Sequence, residues 1–310
     1  MQGTLTITAK TYPKCDDYLR IRKVDDEYKK IEDFIKLYPN IKEPEIYECM
    51  IKYRAVEKTY KEFMNDYLSF ADQLHIVKFN PCKIIIHQPV RVSKYFIEKA
   101  TDCLQTARFF AIKSHLILDR NSNLNWTQGY IPQYSFRCTY FGTAVTWYSN
   151  TFDQLLQAVF WGFELYTDAV DKKRNHYNDS WDAKKTLKFC NYDFVIRILK
   201  NRGYTDAHKL LISCFKKIKE IRSWANYIKH KGGIDYKDSE PEEPIRIYVA
   251  PRNSNINVTQ LDERFAIENF KSPIEIDIDE KCNTLLQAHC ALYECITQII
   301  DVIDFDKYSL

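Results

Sequence analysis

Between residues 206 and 231, apolar side chains recur at Ala207, Leu211, Cys214, Ile218, Ile221, Ala225 and Ile228. Steps of three and four keep them on one face of a helix, so the segment has to bury that stripe against other elements. The same spacing links Tyr148, Phe152, Leu155, Val159, Phe163 and Tyr166 in a long segment from about 143. It also links Leu285, Leu286, His289, Leu292, Ile296, Ile299 and Ile303 in 281–304. Residues 91–118 carry Phe96, Ala100, Cys103, Ala107, Phe110 and Ile117, and 181–201 reads as a further helix ended by Gly203, with Asp206 as a cap for the next. Towards the N-terminus, 16–37 and 43–74 read as two helices, the second marked by Ile46, Met50, Tyr53, Val56, Tyr60, Phe63, Tyr67 and Leu74.

Strand signals are few. "CKIIIHQP" at 82–89 reads as a short buried strand stopped by Pro89. "IRIYVA" (245–250), "ERFAIENF" (263–270) and "IEIDID" (274–279) suggest a small antiparallel sheet, and "IDYKDSEPEEP" (234–244) a polar loop before it. The expected fold class is therefore mainly α: an up-and-down helical bundle with a small antiparallel β insertion. The expected organisation is an N-terminal helical region at 1–80, then a bundle at 81–310 with the insertion at about 245–279.

Composition narrows the functions available. Seven glycines in 310 residues disfavour Gly-rich phosphate loops, and 22 tyrosines with 18 phenylalanines point to an aromatic core. A formal net charge of +3 leaves only a local basic patch as a route to nucleic acid. No apolar run approaches the roughly 18 residues of a membrane span, and "MQGTLTITAKTYPKCDDYLR" lacks the pattern of a signal peptide. The ten cysteines form no CxxC and fall mostly on apolar helical faces. They read as reduced core thiols of a cytoplasmic protein, with no membrane association.

One segment stands out, "RSWANYIKHKGGI" at 222–234. Arg222, Asn226 and His230 are four apart and share a ridge beside the apolar stripe. Lys219 and Ser223 extend its polar edge, and Lys229 and Lys231 flank the histidine. A purely local reading is available, because basic side chains suit a helix C-terminus and glycine closes one.

The stretch "NYIKHKGG" at the end of a bundle helix also resembles the HEPN superfamily. That resemblance implies a helical bundle that pairs into a homodimer and works in RNA-associated defence or toxin–antitoxin systems. It further implies RNA and an antitoxin-like protein as partners, and no metal or cofactor. In that family four to six residues separate an Arg from a His further on, often with a polar residue directly after the Arg. His230 and Asn226 match the last two. Ser223, Trp224 and Ala225 fill the positions open to the Arg, and Arg222 stands one place outside them. As a metal-independent endoribonuclease, the chain would use His230 as acid–base group and Asn226 to orient it. Arg222 or Lys229 would be the phosphate cation, with Lys219 and Lys231 adding binding charge. Glu164, expected on the long helix with Asp168 four residues on, is the acidic partner the resemblance suggests. The alternative is a non-catalytic helical interaction or dimerisation module of unknown partner.

The remaining candidates have simpler readings. His289, Cys290, Cys282 and Cys295 share one helix that cannot converge all four on a metal, so His289 reads as a buried, hydrogen-bonded residue. His75 and His87 flank the expected strand without an obvious carboxylate. "KKRNH" (172–176) and "FKKIKEIR" (215–222) add basic residues, and 125–141 is aromatic enough to stack bases. No G-x-S-x-G, Walker loop, dinucleotide fingerprint or H-E-x-x-H occurs.

Overall fold

The computed structural model describes residues 19–21, 50–53, 56–79, 84–117, 130–169, 187–231, 233–237 and 274–308. They hold six α-helices and five short strands. In chain order these are β1 (Leu19–Ile21), β2 (Met50–Tyr53), β3 (Val56–Thr59), α1 (Tyr60–Gln73), α2 (Gln88–His115) and α3 (Tyr130–Gly162). They continue with α4 (Tyr192–Asn201), α5 (Thr205–Lys231), β4 (Asp235–Tyr236), β5 (Glu275–Ile276) and α6 (Ile278–Ile303). The chain is mainly α, as its periodicity predicts. No helix among the described residues is long and apolar enough to cross a membrane.

Two compact units share the chain. The first comprises Met1–Asp66, Ile117–Cys138 and Gly233–Ile278. It contains an antiparallel sheet in the order β1-β2-β3, with Leu19 opposite Tyr53 and Met50 opposite Thr59. This corrects the reading of 16–37 and 43–74 as continuous helices, since β1 to β3 fall inside those spans and, among the described residues, the first helix starts at Tyr60. The start is fixed by a capping box: the Glu62 amide donates to Thr59 Oγ1 at 3.2 Å, and the Thr59 amide donates to Glu62 Oε2 at 2.7 Å. The Thr59 amide and hydroxyl both donate to the Glu62 carboxylate, and these bonds to the charged form hold it below its usual range.

The same unit holds a second pair, β4–β5, and it is parallel, with Asp235 opposite Glu275 and Tyr236 opposite Ile276. The expected strand at 274–279 shortens to Glu275–Ile276, with a helix starting at Ile278, and its partner comes from the segment read as loop and runs in the same direction. The expected strands at 245–250 and 263–270 lie outside the described residues. Tyr134 donates its hydroxyl to the Lys237 carbonyl at 2.5 Å and pins the end of the pair.

The second unit, Tyr67–Leu116, Thr139–Gly232 and Asp279–Leu310, is the helical bundle. Contacts fix the helix directions. Ser93 on α2 donates to the Ala158 carbonyl on α3, while Phe110 further along α2 meets Tyr140 near the start of α3. These two helices are therefore antiparallel. Phe152 meets Phe215 and Phe141 meets Trp224, so α3 and α5 are antiparallel as well. Lys217–Glu294 and Glu220–Lys281 set α5 against α6 in the same sense. The up-and-down arrangement holds for α2, α3, α5 and α6.

Phe141, Tyr148, Phe152, Phe160 and Trp161 are almost fully buried and make up much of the core. Large rings in a low-dielectric interior bring the bulk of the apolar burial that drives folding. Where three helices converge, α3 ends on Gly162. A Cβ there would stand 2.8 Å from Ser93 Oγ and 3.0 Å from Ile303 Cδ1, so any larger residue would force one of these side chains to shift. Of the expected strand at 82–89, the described part (84–89) holds a single bridging residue, Ile85. The helix begins at Gln88 with Pro89 in its first turn, where a missing N–H costs nothing.

Candidate functional site

The sequence stripe of α5 is buried as expected up to Ala225, and Ile228 is half-buried. Ala207, Leu211, Cys214, Ile218, Ile221 and Ala225 are all buried. Asp206 lies in the first turn, where its charge suits the helix dipole, and is not the cap. The capping glycine expected at 232 lies outside the described residues, while Gly233 has φ 132°.

The ridge Arg222–Asn226–His230 does not hold together as one surface. A helix turns 100° per residue, so four-residue steps drift, and eight residues carry His230 roughly 80° around from Arg222. Arg222 points into the seam with α3. Its Nη1 donates to Asp153 Oδ1 at 2.8 Å and to the Ser149 carbonyl at 3.3 Å. The guanidinium also lies 5.1 Å from the Phe152 ring centre and 6.0 Å from that of Phe215. Its side chain is 20 % exposed and that of Asp153 is 41 % exposed. Asn226 and His230 face solvent, as do Lys219 and Lys231. None of these four makes a side-chain hydrogen bond or ion pair among the described residues.

Seven residues is nearly two full turns, so Lys229 returns to the side Arg222 faces. Helical Cβ atoms lean towards the N-terminus, and Lys229 reaches back along the seam to donate to Asn150 Oδ1 at 3.0 Å. The seam therefore carries a polar group of four: Asn150 and Asp153 from α3, Arg222 and Lys229 from α5. The Cys190 thiol feels the Asp153 carboxylate. Burial, and then the Asp153 carboxylate, push Cys190 up to about 12.

Glu164 is elsewhere. The helix ends at Gly162, and Glu164 turns the chain with φ 52° instead of continuing the expected face. Gly162 already stands roughly 13 Å along the axis from Asp153. The Glu164 carboxylate lies 3.5 Å from His87 Nε2 and 3.4 Å from the Tyr166 hydroxyl, so His87 does meet a carboxylate. Asp168 sits in the short helical turn Leu165–Asp168 and pairs with Arg202. Neither acid approaches Arg222 or His230. The acid that does is Asp153, which spacing along α5 does not reveal. Its signal was composition, because Arg137 and Asp153 are the only charged residues in the whole of α3.

His289 is fully buried. Its Nε2 lies 2.7 Å from the His75 carbonyl and its Nδ1 3.3 Å from the Tyr148 hydroxyl, an arrangement that suits the neutral ring. Burial lowers its pKa to about 4. Among the described residues, no group of three or more His, Cys, Asp or Glu side chains is placed to hold a metal ion. No family model, curated protein or solved structure matches the chain.

Proposed function

We propose that this chain is a HEPN-like bundle protein of RNA-associated defence or toxin–antitoxin type, which binds RNA along the C-terminal edge of α5 without cutting it. The observation that carries the reading is the Arg222–Asp153 ion pair at 2.8 Å. A phosphate cation has to present its charge to the anion, and this guanidinium is folded onto α3 with its charge already answered. Binding asks for less. Lys219, Asn226, His230 and Lys231 are exposed on one helix, with Lys229 beside them at the seam, and a phosphate backbone needs only such accessible cations and donors. The family resemblance supplies RNA as the polymer, and the same resemblance supplies self-pairing into a homodimer and an antitoxin-like protein as partner.

The test uses a 5′-labelled single-stranded RNA in metal-free buffer. Full-length RNA recovered after long incubation, together with a gel shift that Lys229→Glu/Lys231→Glu abolishes, is the expected result. Fragments that disappear in His230→Ala would show a nuclease instead. A shift untouched by the charge reversals would move the interface off this edge.

A further inference from the structure

Resting on that reading, we infer that Asp153 is a built-in competitor for phosphate. Its carboxylate occupies, at Arg222, the place that a phosphate oxygen of the ligand would take in its absence. Three observations converge on the seam. Arg222 lies against Phe152 and Phe215, 5.1 and 6.0 Å from their ring centres, and donates to Asp153 and the Ser149 carbonyl, so its guanidinium is already placed and needs little ordering to receive an anion. Lys229 reaches back to the same stretch of α3, which brings a second cation to the group. Asn150, whose Oδ1 accepts from Lys229, adds an amide donor beside them.

Without Asp153 the group is a two-cation seat for a tetrahedral oxyanion. With Asp153 in place one cation is neutralised. Asp153 is 41 % exposed, so its carboxylate can turn out to water and leave Arg222 unmasked. A charge held this way weakens binding at rest and makes the seat respond to whichever anion competes best for the guanidinium. The chemistry recognised is a phosphate oxyanion, whether carried by an RNA backbone or free in solution.

The decisive variant is Asp153→Asn in the full chain, with Asp153→Ala as a second in case the amide keeps hold of Arg222, and circular dichroism to check that both fold. Unmasking one cation should steepen the salt dependence of RNA binding by about 0.7 in log–log slope, or about fivefold in affinity at 0.1 M salt. Glu294→Gln removes the same charge from the partner of Lys217 on the far seam of α5 and should leave the affinity unchanged. Arg222→Gln added to Asp153→Asn should erase the gain. A parallel titration with inorganic phosphate, at ionic strength matched with chloride, follows the Arg222 Nε resonance. A gain for RNA alone assigns the seat to a phosphodiester and a gain for both to any phosphate oxyanion, and either supports the proposal. No gain for either ligand, or a gain that survives Arg222→Gln, overturns it. Loss of RNA binding in the wild type would remove the earlier reading, while the inorganic phosphate arm would still judge this one.

Discussion

Acidification should weaken the bundle through one residue. His289 is buried against Tyr148 and the His75 carbonyl, and its pKa falls from an ordinary 6.5 to about 4 because burial penalises the charged ring. The unfolded chain therefore takes up a proton first as pH drops. The folded state loses stability from about pH 6.5 downwards, and the loss is complete once pH passes below the folded value. Over the whole window the shift corresponds to about 3 kcal/mol, and between pH 7 and pH 5 to about 2 kcal/mol. Other groups titrate in the same range, so the measurement is a difference. Urea unfolding, followed by the fluorescence of the buried Trp161, is run at both pH values on the wild type and on His289→Gln. Glutamine cannot titrate, yet its amide offers a donor for the His75 carbonyl and an acceptor for Tyr148. The wild type should lose about 2 kcal/mol more than the variant on going to pH 5. Equal losses in the two proteins would refute the assignment of a neutral buried ring to this position.

Two further predictions concern the end of α3. Gly162→Ala should destabilise by about 1–3 kcal/mol in the same urea assay, because Ser93 cannot rotate away from the new methyl without giving up its 2.7 Å bond to the Ala158 carbonyl. A neutral outcome would mean the three helices can separate at little cost. Glu164→Gly should stabilise by about 0.5–1 kcal/mol, since φ 52° suits glycine and the 3.5 Å contact with a half-exposed His87 contributes little. A loss of stability there would show that the His87–Glu164 pair holds the turn.

The bundle was readable because its stripes are long. α5 and α6 span 205–231 and 278–303, against expected spans of 206–231 and 281–304. Over that many residues a 3.6-residue period has no competitor. The segment 43–74 misled because Met50, Tyr53 and Val56 happen to recur at helical spacing, while the residues between form a sheet with Leu19–Ile21, a partner some thirty positions away. The correct helix start was nevertheless written locally, in Thr59-x-x-Glu62 as a capping box. The candidate site was legible in part. Lys229 and Arg222 share a face, as their seven-residue interval dictates. The partner of Arg222 comes from another helix, and no spacing within α5 encodes Asp153. Glu164 was misplaced because the face was carried past Gly162, where the backbone turns instead.

The central claim is that accessible cations on the last turns of α5 meet an RNA backbone while Arg222 stays masked. Its most direct test is the dissociation constant of an unstructured RNA measured across a salt series. Three cations in contact, Lys219, Lys229 and Lys231, predict that log affinity falls against log salt with a slope of roughly −2. A slope near zero, or no binding at low salt, would contradict the account.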